Sequence, residues 1–211
     1  MAVSSLNRFT VPLATDQSSA SQGLLMPKLK YRFRVTLDSF GVPGTPVTEL
    51  TKQVINVSRP EITFEEIKLP VYNSTVKLAG KHSFANAKLT LRDDVSNAVT
   101  KLVGQQLQKQ FDFFEQSSAA SGIDYKFTMN VELLDGGNGA NTPTVLESFQ
   151  FLGCYLQGAV YQGGDYASTT DPMDIVLTIV YDNVLQFGAG GNPTGVGESV
   201  GRTVRSLALG G

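Results

Sequence analysis

Over residues 28–38, KLKYRFRVTLD, apolar and polar positions alternate. Leu29, Tyr31, Phe33, Val35 and Leu37 fall on one side, and Lys28, Lys30, Arg32, Arg34 and Thr36 on the other. A period of two predicts a strand with one buried face. The same pattern returns in DYKFTMNVELL, with Tyr125, Phe127, Met129, Val131 and Leu133 aligned, and in AKLTL, which places Leu89 and Leu91 inward. DIVLTIVY (174–181) is apolar on both faces and predicts a strand in a sheet interior or at an interface. EITFEEIKLPVYNSTVKLAG predicts two strands joined by a turn at Tyr72-Asn73-Ser74, with Pro70 marking a bulge or an edge.

Only one segment shows a helical period. Val95, Ala98/Val99, Leu102/Val103, Leu107, Phe111 and Phe114 are spaced by three and four, which predicts an amphipathic helix over about 94–116. Asp93 or Asp94 can cap its first turn, and Gly104 weakens it by about 1 kcal/mol relative to alanine. Long strand pairs with one such helix predict a mainly β, α+β fold: two packed antiparallel sheets with the helix laid across a sheet.

The alternation is confined to residues 27–187. Residues 1–26 are rich in Ser, Ala and Gln and read as an extended arm. Residues 188–211, GAGGNPTGVGESVGRTVRSLALGG, form a Gly-rich C-terminal arm with a basic-apolar patch, RTVRSLAL. Tails of this composition do not easily offset their own ordering entropy. A neighbouring subunit is therefore expected to hold them.

Composition narrows the function classes. The 211 residues suit one substantial domain with arms. With 17 basic and 19 acidic residues the net charge is −2, which gives no overall attraction to nucleic acid or anionic membranes. Cys154 is the only cysteine, so neither an intrachain disulfide nor a cysteine-based zinc cluster can form. No window approaches a membrane span. The N-terminus lacks the pattern of a secretory signal. A protein made and folded in a reducing cytosol is expected, and the glycosylation-like triplets at Asn56 and Asn73 are set aside.

The candidate chemistry is thin. Gly80-Lys81 end a phosphate-loop pattern, but Thr75 stands where its first glycine belongs and His82 where its hydroxyl belongs. The following residues alternate as a strand instead of opening a helix. His82, the one histidine, reads as a surface or interface residue, not a general base. GESVG (197–201) matches a nucleophile elbow, yet neither an acid nor a histidine follows it. Glu65 and Glu66 point to opposite faces of a strand, and Asp93-Asp94 are accounted for by the helix cap. No catalytic set, metal or cofactor is expected. Lys28, Lys30, Arg32 and Arg34 could track a phosphate backbone, but no aromatic is interleaved with them for stacking. Ion pairing with a neighbouring subunit is the favoured reading, with a small β-barrel nucleic-acid-binding module as the alternative from another class.

The order of elements carries more information than any motif. The hairpin with Pro60, Glu65 and Pro70 is followed by LAG and Phe84, then LTLRDD running into the helix, and finally VLTIVYD. Together, over about 24–187, these resemble the tail tube proteins of contractile-tailed bacteriophages, which share a fold with the tube proteins of contractile injection systems. The resemblance implies a structural subunit and no enzyme. Six copies would form a ring whose sheets join into a continuous β-barrel, and rings would stack into a hollow conduit for DNA delivery inside a contractile sheath. It implies a hairpin, here about 59–79, reaching the adjacent ring through Glu65, Lys68, Tyr72 and Lys77. Lys28, Lys30, Arg32 and Arg34 would face subunit neighbours and not the lumen, because a strongly basic channel would hold DNA. The partners implied are the sheath, tape-measure, tube initiator and terminator proteins, with phage DNA in passage. The location implied is the virion tail tube, assembled in the host cytoplasm. A baseplate-proximal tube initiator, or the tube of another contractile injection system, fits the same pattern.

Overall fold

The computed structural model describes residues 27–42, 47–136, 142–168 and 170–199. The expected arm at 1–26 lies outside them, as does the basic-apolar patch near the C-terminus. The chain divides into two units, residues 1–32 and 33–211. In the first, residues 27–32 close a turn: the Arg32 amide donates to the Leu29 carbonyl at 3.2 Å, and the Arg32 guanidinium lies 5.5 Å from the Tyr31 ring centre. This corrects the strand expected from Lys28.

The second unit begins with β1 (Phe33–Asp38), α1 (Thr48–Gln53) and β2 (Val54–Val57). A long hairpin follows, β3 (Ile62–Val71) and β4 (Ser74–Phe84), then β5 (Ala87–Arg92) and α2 (Ala98–Gln110). Short pieces come next: β6 (Phe111–Asp112), β7 (Ser117–Ser118) and α3 (Gly122–Tyr125). The unit closes with β8 (Phe127–Leu134), β9 (Val145–Tyr161), β10 (Asp174–Val180) and β11 (Asn183–Gly188). The fold is mainly β, its strand pairings are antiparallel, and its helices are few.

Seven strands form one sheet: six follow the path β1-β8-β9-β10-β5-β2, and β11 pairs with β9 off that path. The 17-residue β9 organises it. Its first half lies between β8 and β11, and its second half pairs with β10. Between the halves β9 takes one extra residue, since Met129 pairs with Phe151 and Phe127 with Cys154. Gly153 sits there at φ +67°, a conformation that glycine adopts without strain. A methyl group on it would come within 2.8 Å of the Asp182 carboxyl carbon. The inserted residue reverses the side-chain parity, so Phe149 and Phe151 before it, and Cys154 and Leu156 after it, all enter the core.

The core fills the space between the two portions of this bent sheet. Val35, Leu37, Met129 and Val131 come from one portion, and Leu89, Leu91, Ile175, Leu177 and Ile179 from the other. Leu50 of α1 and Val99, Leu102 and Val103 of α2 close it. Full burial of each such side chain contributes about 1.5–3 kcal/mol relative to leaving it exposed. Gln106 is also fully buried. It accepts from the Gly41 amide at 2.8 Å and donates to the Tyr125 carbonyl at 2.7 Å, so α2 fixes two connecting segments.

The helix departs from the expected 94–116 at both ends. Asp94 Oδ1 accepts from the Val99 amide at 3.2 Å and Oδ2 accepts from the Ser96 hydroxyl, forming a turn before the helix starts. Val95 consequently lies in solvent. At the far end Asp112 Oδ1 accepts from the amides of Phe114 at 2.9 Å and Glu115 at 3.1 Å. An aspartate that captures local amides competes with helix continuation, so α2 stops at Gln110, Phe111 turns extended, and Phe114 is exposed. Tyr125, expected in a strand, ends α3 instead.

Candidate functional site

Among the described residues, no group of three or more His, Cys, Asp or Glu side chains could hold a metal ion. Burial pushes the Cys154 thiol up to about 12, which leaves it protonated and unreactive. His82 lies between the Phe64 and Phe84 rings, 6.3 and 5.2 Å away, in an aromatic row that continues through Tyr181 to Phe151. No described helix is long and apolar enough to cross a membrane. The features that stand out are surfaces.

The first is the β3–β4 hairpin, a separate two-stranded sheet. At its root the Ala85 amide donates to Glu61 O at 3.1 Å, closing the two strands, and Ile62 and Phe84 pack on the core. Arg59, just before it, donates to the buried Glu147 carboxylate at 3.0 Å and covers the Phe149 ring. Beyond the root both faces are exposed.

The register shows how those faces are made. Phe64 pairs with His82 and Glu66 with Ala79, so β4 carries one extra residue at Gly80-Lys81. A methyl on Gly80 would approach the Glu65 carbonyl at 3.0 Å and Ile67 Cγ1 at 3.1 Å, so only a bare backbone fits comfortably. The bulge falls here and not at Pro70, which pairs regularly with Thr75. Inside the bulge, Ile62, Phe64, His82 and Phe84 share the face turned to the core. Outside it, that face continues as Glu66, Lys68, Lys77 and Ala79, while Ile67, Leu69, Val71, Val76 and Leu78 gather on the opposite face. The apolar surface thus changes sides at the bulge. Each of those five residues is roughly half exposed, Leu69 at 45% and Val71 at 53%.

The sequence-derived contact residues are distributed unevenly on this element. Lys68 and Lys77 are cross-strand partners, and both reach Glu66, at 3.5 and 2.7 Å. Tyr72 occupies the tip at φ +40° with its ring fully in solvent. Glu65 lies at the bulge, facing the other side. Ile67, Leu69, Val71, Val76 and Leu78, which alternate in the sequence, are absent from that contact set. Of the basic residues, Lys28, Lys30 and Arg32 lie in the 27–32 turn, and only Arg34 belongs to a strand. Arg34 Nε meets Glu132 of its own chain at 2.5 Å.

The second surface is the outward face of the sheet portion β1-β8-β9-β11. Across its first three strands that face presents Arg34, Thr36 and Asp38, then Thr128, Asn130 and Glu132, then Ser148 and Gln150. All are polar: Arg34 is ion-paired with Glu132, and Asp38 keeps its negative charge while accepting from the neutral Asn130 amide at 3.0 Å. The two edges of this portion differ. β1 pairs only with β8 among the described strands. β11 carries on its outer side the chain's own residues 192–196. The freed edge of β9 beyond Gly153 is met by α2, whose Gln110 amide donates to Leu156 O and accepts from Leu156 N, both at 2.8 Å.

No protein-family model matches the sequence, and no curated protein matches it. Solved structures do match in fold. A chain of the anti-feeding prophage baseplate aligns with a TM-score of 0.56 at 13% identity, over 79% of this chain and 99% of that one. A chain of the same prophage's tube-terminating cap gives 0.56 at 20% identity, over 79% and 95%. A chain of the sheath-tube complex of PVC, an extracellular contractile injection system, gives 0.52 at 19% identity, over 83% and 99%. The chain has the tube-protein fold of contractile tails and injection systems.

Proposed function

We propose that this chain is the structural subunit of a phage tail tube. Copies join sheet to sheet into hexameric rings, and rings stack into a hollow conduit through which DNA is delivered inside a contractile sheath. The observation that carries this reading is the hairpin exposed on both faces beyond Gly80. A lone two-stranded hairpin is marginal in water, and one with an apolar outer face is stable and soluble over the long term only when a partner covers it. An adjacent ring supplies that cover. The contact set proposed from sequence, Glu65, Lys68, Tyr72 and Lys77, is retained as the rim, with Ile67, Leu69 and Leu78 as its apolar centre.

The polar face of the β1-β8-β9 strands suits the channel wall. Its cation, Arg34, is ion-paired with Glu132, and Asp38 is acidic, so this face offers passing DNA no row of uncompensated cations. On this reading Arg34 belongs to the wall as a neutralised residue, and Lys28, Lys30 and Arg32 remain candidates for contacts with a neighbouring subunit. Sheath, tape-measure, initiator and terminator proteins are the further partners, and the virion tail is the location. The tube of a non-phage contractile injection system is favoured as a second reading by the fold likeness to the PVC sheath-tube chain.

Negative-stain microscopy of the purified protein tests the proposal. Rings or hollow tubes are expected, and a monomer at all concentrations would sink it. The double variant Leu69→Asp/Leu78→Asp should leave rings but abolish stacking. Charge reversal at Lys68 and Lys77 should only weaken stacking, because those side chains sit on the opposite face. Equal loss in both variants would refute the assignment of the apolar face as the centre.

A further inference from the structure

We propose that residues 192–198 are a displaceable cover on the outer edge of β11, and that β1 of a second copy takes their place when subunits join. It rests on the tube reading only for the identity of the partner.

Every outward amide of β11 is already used within the chain. Val184 N–H donates to its neighbour Asn183 Oδ1 at 2.8 Å, Gln186 N–H to Val196 O at 2.8 Å, and Gly188 N–H to Asn192 O at 3.0 Å. The Gln186 carbonyl accepts from Thr194 N–H at 2.9 Å, and the Gly188 carbonyl from Gly191 N–H at 3.0 Å. Side chains add to this: Gln186 Oε1 accepts from Val196 N–H at 3.4 Å, while its Nε2 donates to Glu147 at 2.5 Å. The segment imitates a strand. An edge satisfied in this way does not template pairing with another chain.

The cover nevertheless has little to hold it. Residues 189–199 are all exposed, so burial of apolar side chains contributes little. Glycines at 190, 191, 195 and 197 make its ordering entropically costly. A permanent edge strand would bury side chains, and this one offers mainly backbone hydrogen bonds, which an incoming strand replaces one for one.

The incoming strand is identified by geometry. The portion β1-β8-β9-β11 has four strands in antiparallel alternation, so its two edges run in opposite directions. Head-to-tail joining of β11 to β1 of the next copy therefore continues the antiparallel ladder. The two edges also match in length, at six residues each. Repetition of that heterologous contact generates a ring if its rotation closes. A cover that must leave first delays pairing until a correctly placed edge arrives.

The test locks the cover. Phe187 and Pro193 are directly opposed as an antiparallel bridge. The flanking bonds, Gly188 N–H to Asn192 O and Thr194 N–H to Gln186 O, make it a pair in which side chains approach closely. Phe187→Cys/Pro193→Cys should form a disulfide there, with buried Cys154 inert. The oxidised full-length protein is expected to lose sedimentable assembly, and reduction of the same sample to restore it. Conversely, Gly195→Ala/Gly197→Ala should promote assembly at lower concentration. Alanine at those positions would meet Gln186 Oε1 at 2.6 Å and Leu185 Cδ2 at 2.7 Å and loosen the cover.

Oxidised protein that assembles as well as reduced protein overturns the proposal and leaves the tube reading standing wherever tubes are seen. Lock-sensitive assemblies that are not hollow tubes overturn the tube reading and uphold the edge exchange. A wild type and a loosened variant that both stay monomeric overturn both.

Discussion

β8–β9 and β3–β4 are both long antiparallel strand pairs with alternating apolar residues, and they end in opposite surroundings. Met129, Val131, Phe149 and Phe151 of the first pair are buried by the rest of the subunit. Leu69, Val71, Val76 and Leu78 of the second face solvent. Alternation declares that one face will be covered. What covers it depends on whether the sheet bends back over itself, as β9 does at Gly153, or runs straight out, as β3 and β4 do beyond Gly80.

That contrast is open to measurement. Leu91→Ala, in the covered region, should cost about 2–5 kcal/mol of subunit stability. Leu69→Ala, in the uncovered hairpin, should stay within about 0.5 kcal/mol in the isolated subunit. Chemical denaturation of the two variants gives both numbers, and a large loss for Leu69→Ala would mean that the hairpin is covered within its own chain.

Gly153→Ala probes the bend itself. A left-handed backbone with a side chain, close to Asp182, should cost about 1–3 kcal/mol by the same assay. Gly104→Ala, in a helix with open space around the added methyl, serves as the control and should stabilise slightly.

The smallest effect concerns pH at the helix that closes the covered region. The Ser96 hydroxyl, followed by the Val99 amide, holds the Asp94 carboxyl below its ordinary value of 3.8. Asp112, past the other end, is lowered chiefly by the Glu115 and Phe114 amides and then by Gln108. Because both values fall on folding, their contribution is complete above the ordinary aspartate range. It is lost as pH drops through the folded values. The protection factor of the Val99 amide, corrected for the intrinsic pH dependence of exchange, should therefore fall on acidification below that range, and Asp94→Asn should flatten the dependence.

Much of this was legible in the sequence because the core strands are short and regular. Leu89, Leu91, Met129 and Val131 announce their burial by period alone. The hairpin was legible as two strands and a turn, and the reversal of its apolar face is written in β3, where Ile62 and Phe64 give way to Ile67, Leu69 and Val71 on the other parity; the matching extra residue at Gly80-Lys81 shows only in the register. The basic alternation from Lys28 misled. Strand pairing needs a partner, and the β1–β8 ladder ends at Phe33 and Leu133, where β8 itself is nearly spent. The helix boundaries were misread because apolar spacing continues through Phe111 and Phe114, while Asp112 had already claimed the amides that the next turn requires. The tail at 192–198 carried no period at all, since it is held through its backbone.

The continuity of β9 has a mechanical consequence. One uninterrupted backbone crosses from the portion that carries β8 and β11 to the portion that carries β10. Tension applied to either portion is therefore borne by covalent bonds, with the hydrogen-bonded ladders loaded in shear and not peeled one bond at a time. Within the subunit, that strand is the part suited to act as a tie-rod.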